Sequence, residues 1–246
     1  MRSWKVINLG VRVIRRTGLC LAGGFAMLNL SATATMAVSM LVSLAVYAVA
    51  FGLKFAIGFI ILLLIHEMGH WVASRVVGLN ASAPMFIPFL GAVINLRQSP
   101  VNAKMEANVA IGGPAAGTLS ALLCLLFYLW TDSLFMLVLS YTACLLNLFN
   151  LIPCVPLDGE RIAAAISSRI WLFGSVILAI LCFTTHNIFI FVIFVVSLFR
   201  LWHGEGDYAA SYYHLTRNQR LKVAFWYFGL LSVLGTTTVY VVGLLR

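Results

Sequence analysis

Long apolar runs separated by short polar segments fill most of the chain. A helix needs about 20 apolar residues to cross a bilayer, and runs near this length occupy residues 33–53, 55–77, 107–130, 134–152 and 223–245. Another apolar stretch, residues 170–202, is interrupted by Thr184-Thr185-His186-Asn187. As one helix it would be about 50 Å long, too long for a single crossing, so two short spans are predicted there. The pattern predicts an all-α polytopic membrane protein with about seven spans.

Composition supports the same class. Hydrophobic residues make up 62% of the 246 residues and charged residues 9%, which lies outside the range of soluble globular domains. The apolar runs leave no segment long enough for a separate soluble domain. We predict an N-terminal amphipathic or interfacial segment (1–30), a membrane core (31–204), and a cytoplasmic connector with the last span (205–246).

The positive charges predict an orientation. The 16 basic residues are scattered singly between apolar runs rather than grouped on one face, so nucleic acid is not an expected partner. With seven spans and a cytoplasmic N-terminus, all of them except Lys54 and Arg246 lie on the cytoplasmic side, as the positive-inside rule requires. We therefore expect a multi-pass protein of the cell membrane, with the lipid bilayer as a partner.

The N-terminal segment allows two interpretations. Basic residues followed by apolar residues 19–30 resemble a cleaved signal peptide. However, Trp4, Ile7, Val11 and Ile14 recur at helical spacing, with the basic residues off that face. This favours a helix that lies on the cytoplasmic leaflet.

The segment between the second and third spans contains a possible β-structure. Residues 86–96 are too short and too interrupted by Pro88 and Gly91 to form a span, and residues 92–96 are strand-like. An amphipathic connector and a short membrane-associated β-hairpin both fit this pattern. The residues alone do not decide between them.

The run His66-Glu67-Met68-Gly69-His70 is the candidate for chemistry, because it lies inside the second apolar run. A lone polar residue at such a depth usually serves helix packing, but three ionisable groups within five residues cost a few kcal/mol each and need a partner. Residues four apart share a helix face, so both imidazoles can bind one zinc ion with Glu67 beside it as a base. The motif predicts an intramembrane metalloprotease.

A third metal ligand is expected, because hydrolytic zinc sites usually take three protein ligands and keep one position for water. Val76 stands where an extended motif would place a third histidine. The predicted depths put Asp132 on the outer face and leave Asp158 and Glu106 near the cytoplasmic side. Cys154 is assigned to packing, since a fourth protein ligand would close the water position.

Two separated motifs carry a family resemblance. His66-Glu67-Met68-Gly69-His70 together with Asn150-Leu151-Ile152-Pro153-Cys154-Val155-Pro156-Leu157-Asp158-Gly159 resembles the site-2 protease family of intramembrane zinc proteases. Gly113-Pro114 looks like that family's third motif, although Gly117 and Glu160 replace an asparagine and a glycine that are frequent there.

The resemblance implies one zinc ion per chain. It implies His66, His70 and Asp158 as ligands, and Glu67 as the catalytic acid and base. It also implies Asn150 as an oxyanion or substrate-positioning group and a sheet edge at Gly91, Ala92 and Val93 that receives the substrate as an added strand.

The resemblance implies a six-span protease core and an active site toward the cytoplasmic side. The expected partners are single-span or peptide-precursor membrane substrates and a possible regulatory membrane partner. The alternatives are a divalent-metal transporter, whose site would lie near the midplane, and a catalytically silent membrane chaperone, which would be expected to lose Glu67 or a ligand.

Overall fold

The computed structural model describes residues 32–79, 85–87, 91–93, 99–167, 169–203 and 210–246. The N-terminal segment 1–30, most of the segment 86–96 and residues 204–209 of the connector lie outside the described residues. The elements are α1 (Ala32–Phe51), α2 (Leu53–Val76), β1 (Met85–Ile87), β2 (Gly91–Val93), α3 (Ala103–Thr131), α4 (Leu134–Asn150), α5 (Asp158–Ile166), α6 (Ile170–Thr185), α7 (Ile188–His203), a 3₁₀ helix (Ala210–Tyr213) and α8 (Arg217–Leu245).

Apolar helices follow one another in the predicted order. Within the described residues, α1, α2, α3 and α8 are long and apolar enough to cross a membrane, whereas α4, α6 and α7 are apolar but shorter. The protein is therefore a membrane protein, and the count of seven spans stays a prediction. The predicted break is present, since α6 ends at Thr185, His186 adopts a left-handed conformation (φ 50°) and α7 begins at Ile188.

The helix α3 occupies the centre of the bundle and contacts α2, α4, α5 and α8. Its buried positions are mostly small, and they include Ala103, Ala107, Ala110 and Ala121. At its crossing with α2, Gly69 and Gly112 lie so close that a Cβ on either would collide with the backbone oxygen of the other. Small residues allow such close approach between membrane helices, which brings the histidines of α2 against α3.

The helix α5 was not predicted. The fourth apolar run ends with α4 at Asn150, and a loop leads into this nine-residue helix, whose first residue is Asp158. Its residues Ile162–Ala165 are all buried, on more than one side of the helix. The short helix thus carries Asp158 back toward the membrane helices.

The strands β1 and β2 pair antiparallel, with Met85 opposite Val93 and Ile87 opposite Gly91. β1 lies beside α1 and β2 beside α2. Residues 94–96 of the expected strand lie outside the described residues. The association of this pair of strands with a membrane stays a prediction.

Polar contacts attach the connector between α7 and α8 to the bundle. The hydroxyl of Tyr212 donates to Oε2 of Glu106 at 2.6 Å. The guanidinium of Arg220 donates to the backbone oxygens of Ile166 at 2.6 Å and Tyr213 at 2.9 Å. The 3₁₀ helix is thereby held against the start of α3 and the end of α5.

Candidate metal centre

Three potential metal ligands converge from two helices. His66 and His70 lie one turn apart on α2, and their Nε2 atoms are 3.1 Å apart. Oδ2 of Asp158, at the start of α5, is 3.3 Å from Nε2 of His66 and 3.1 Å from Nε2 of His70. These residues form a group that could hold a metal ion.

Hydrogen bonds on the far side of each ring orient the two imidazoles. Nδ1 of His66 donates to Oδ1 of Asn147 at 2.8 Å, and Nδ1 of His70 donates to the backbone oxygen of Val109 at 2.9 Å. A carbonyl oxygen can only accept, so the ring of His66 carries its proton on Nδ1. Nδ1 of His70 faces both the Val109 oxygen at 2.9 Å and the N–H of Gly113 at 3.3 Å, and the shorter contact favours the same tautomer. Both Nε2 atoms therefore present lone pairs toward Asp158.

The donor set fits zinc. With neutral rings that carry their proton on Nδ1, two imidazole nitrogens and a carboxylate oxygen converge as lone pairs, and a cation bound among them would offset their repulsion. Ligands of a tetrahedral zinc ion, at about 2.0–2.1 Å from the metal, are separated by about 3.3–3.4 Å. The observed separations of 3.1–3.3 Å are close to this value.

Glu67 lies beside this group without being part of it. Glu67 is 7% exposed, and its carboxyl is near enough to interact electrostatically with His70, His66 and Asp158. No hydrogen bond from another described residue engages this carboxyl. A buried carboxylate that is not committed to a structural contact is suited to transfer protons.

Glycines on α3 make room for the site. A Cβ on Gly113 would collide with the imidazole of His70, and a Cβ on Gly117 would collide with the amide of Asn147. These two glycines therefore leave the space that side chains of the candidate metal centre occupy.

The segment that carries Asp158 is fixed by contacts with α6 and α8. Nε1 of Trp171 donates to the backbone oxygen of Glu160 at 3.2 Å. The hydroxyl of Tyr227 donates to the backbone oxygen of Leu151 at 2.8 Å. Gly159 packs so tightly against the oxygens of Leu151 and Ile152 that a Cβ would not fit. These contacts hold the start of α5 in place.

Cys154 does not belong to the donor group. It is 2% exposed and packs with Ile152, Leu157 and Leu178. Burial, with a smaller contribution from the charge of Glu160, raises the pKa of its thiol to about 12. A neutral buried thiol is consistent with a packing role.

The structure brings together His66, His70 and Asp158, with Glu67 beside them, whereas Glu106 lies elsewhere. Glu106 binds Tyr212 rather than the histidines. The amide nitrogen of Asn150 donates within its own helix, to the oxygen of Leu146 at 3.0 Å, so its part in the site stays a prediction. Gly91, Ala92 and Val93 form β2, and the placement of their side chains is outside the described part of the chain.

Sequence reasoning missed Asn147. It lies three residues before Asn150 on the same apolar helix and is 1% exposed. A signal was available, because a buried amide within a membrane helix needs a hydrogen-bonding partner. The resemblance directed attention to Asn150 instead.

The chain is similar to known membrane and metalloprotease sequences and to a solved structure. Residues 54–134 match the model of peptidase family M50. A curated relative, the zinc metalloprotease MJ0392 of Methanocaldococcus jannaschii, is 31% identical over 114 residues, which cover 44% of this chain and 33% of the relative. The solved site-2 protease from the same organism shares 20% identity, with a TM-score of 0.46 over 72% of this chain and 88% of that structure.

The fold and the site thus describe a membrane protein with a candidate metal centre of two histidines and one aspartate. Its segment 54–134 is similar to peptidase family M50. The chain spans about a third of the length of the curated relative it matches.

Proposed function

We propose that this protein is an intramembrane zinc metalloprotease that hydrolyses peptide bonds in or near transmembrane segments of membrane proteins. The observation that carries the proposal is the convergence, within 3.1–3.3 Å, of His66 and His70 on the apolar helix α2 with Asp158 at the start of α5. Glu67 lies beside them. The family match and the name of the curated relative support the same chemistry.

The residues of the site divide the chemistry among them. His66, His70 and Asp158 would hold one zinc ion, which when bound supplies Lewis-acid activation of water and of the scissile carbonyl. Glu67 accepts the proton of the attacking water and delivers it to the leaving amine. Asn150 is assigned to the developing oxyanion.

The expected substrates are single-span proteins or peptide precursors in the membrane. A helix engages its carbonyls in internal hydrogen bonds, so a substrate must unwind locally before attack. Glycine, proline or asparagine in the cytoplasmic half of the substrate span favours this unwinding. The edge of β2, at Gly91, Ala92 and Val93, would receive the unwound segment as an added strand.

We place the site toward the cytoplasmic side of the cell membrane. The distribution of basic residues supports this orientation, since it puts the end of α2 and the start of α5 on the cytoplasmic side. Cleavage there would release the cytoplasmic part of a substrate, as regulated intramembrane proteolysis requires. A membrane partner that controls access fits this role.

Glu67→Gln tests the proposal, because it keeps the shape of the side chain and removes the base. We expect purified Glu67→Gln protein to retain zinc, while its cleavage of a co-expressed single-span substrate falls by about 10²- to 10⁴-fold or more. A chelator should abolish cleavage by the wild type in detergent. Glu106→Gln, a matched change outside the site, should cleave within a few-fold of the wild type.

The same experiment separates the alternatives. A transporter would move a divalent cation into proteoliposomes and leave the substrate intact, and a silent chaperone would bind substrate without cleaving it. Cleavage by Glu67→Gln at the wild-type rate would refute the proposed mechanism.

A further inference from the structure

We propose that Asn147 is a positioning residue that fixes the proton of His66 on Nδ1 and so keeps Nε2 available to zinc. This inference rests on the metal centre of the proposed function. It concerns a side chain that does not itself lie among the three ligands, and it makes zinc affinity depend on one buried amide.

The orientation of the Asn147 amide is determined by its own helix. Its nitrogen donates to the backbone oxygen of Ala143 at 2.7 Å, which turns Oδ1 toward His66. Oδ1 can only accept, so the facing Nδ1 of His66 must donate. The chain of contacts from Ala143 through Asn147 to His66 thus selects one tautomer.

Without the acceptor oxygen of Asn147, the tautomer of His66 with its proton on Nε2 has a hydrogen-bond acceptor in Asp158. Nε2 of His66 is 3.3 Å from the carboxylate of Asp158, and a proton placed on Nε2 would bond to it. A neutral imidazole that carries its proton on Nε2 cannot use that atom as a ligand. Asn147 counteracts this competing hydrogen bond and leaves both groups free for a metal ion.

Gly117 creates the space in which Asn147 acts. The asparagine is 1% exposed, and a Cβ at position 117 would collide with its amide. Even the smallest side chain on α3 would therefore displace the acceptor from His66. Gly117 on α3 and Asn147 on α4 thus act together: the glycine leaves the space in which the amide reaches His66.

His70 depends on the backbone instead. Its Nδ1 donates to the oxygen of Val109, which no substitution at that position removes. Of the two histidines, His66 is therefore the one whose tautomer can be changed by replacing a side chain outside the donor group.

Zinc affinity of the purified full chain, measured by competition with a chromophoric chelator, tests the role of Asn147. Asn147→Leu keeps the branched outline of the side chain and removes the acceptor, so affinity should fall by about 10- to 100-fold, as for other hydrogen-bonding partners of ligating histidines. Asn147→Asp keeps an acceptor for Nδ1 of His66 but loses the donor to Ala143, so its affinity should lie between those of Asn147→Leu and the wild type. When cobalt is bound, both variants should show the same coordination geometry as the wild type.

Ser140→Ala is the matched control. Ser140 is fully buried on the same helix and donates to the oxygen of Ala121 across the same contact between α3 and α4. Its loss should lower thermal stability without changing zinc affinity. Gly117→Ala should weaken zinc binding in the wild type but add little in Asn147→Ala, because both changes remove the same contact.

Wild-type zinc affinity in Asn147→Leu would overturn the proposal, as would equal losses in Asn147→Leu and Asn147→Asp or in Ser140→Ala. If the wild type binds zinc tightly in those cases, only the role of Asn147 is refuted and the proposed function is unaffected. A wild type that binds no zinc would overturn the metal centre and, with it, the role of Asn147.

Discussion

The imidazole of His70 lies against the α-carbon of Gly113, in a space that a methyl group at position 113 would fill. The ring also donates to the oxygen of Val109, one turn earlier on the same helix. A residue without a side chain is therefore needed at position 113 because the ring of His70 on α2 occupies that space. Gly113 lies inside α3, directly before Pro114, and not in a turn. One glycine allows α3 to support the candidate ligand directly.

Gly113→Ala should weaken zinc binding. The added methyl group must displace the ring of His70 or push the two helices apart, and such overpacking typically costs about 1–3 kcal/mol. We expect zinc affinity to fall by about tenfold or more in chelator competition. Gly229→Ala is the control, because a Cβ at that position on α8 meets no atom within 4 Å. Equal affinities of the two variants would contradict the contact between His70 and Gly113.

Asp158→Ala should remove most of the bound zinc, whereas Glu106→Ala should not. Among the acidic residues that the structure describes, only Asp158 places a carboxylate oxygen within 3.3 Å of both imidazoles, while Glu106 accepts from Tyr212 at 2.6 Å. Loss of a ligand should exceed the 10- to 100-fold effect of losing a supporting hydrogen bond. Elemental analysis of the purified variants gives the zinc content per chain. Loss of zinc from Glu106→Ala but not from Asp158→Ala would reassign the third ligand.

Much of this site follows from local sequence patterns. The spacing of His66 and His70 defines a shared helix face, and the apolar runs give the order of the membrane helices. The resemblance selected Asp158 over Glu106. In the structure, Asp158 lies within 3.3 Å of both imidazoles and Glu106 contacts Tyr212, and the identity of the third ligand stays a prediction.

The remaining features depend on contacts between distant segments. The pairing of Asn147 with His66 joins residues 81 positions apart, and no local pattern reports such a contact. The helix α5 has nine residues, three of them charged, so it lacks the long apolar run that indicates a membrane span. Gly117 gains its meaning only when α3 and α4 are packed together.

Tyr212→Phe should loosen the connector between α7 and α8. Its hydroxyl donates to the carboxylate of Glu106 at 2.6 Å, and a hydrogen bond to a charged group is worth about 1.5–3 kcal/mol. We expect faster hydrogen exchange in residues 210–216 with the rest of the chain unchanged. Tyr240→Phe, at a half-exposed position on α8, should have no such effect. Unchanged exchange in Tyr212→Phe would show that other contacts, such as those of Arg220, hold the connector.

Reporter fusions should place the residues after Asp132, Asn187 and Arg246 on the outer side of the membrane. The basic residues predict this topology, because among them only Lys54 and Arg246 then lie on the outer side.

α6 and α7 have 16 residues each, or about 24 Å of helix, which is short for a crossing. They pack side by side, with the hydroxyls of Ser175 and Ser197 3.2 Å apart. A cytoplasmic signal after Asn187 with an external one after Arg246 would mean that these two helices form a hairpin that does not cross. A cytoplasmic signal after Arg246 would refute the seven-span count.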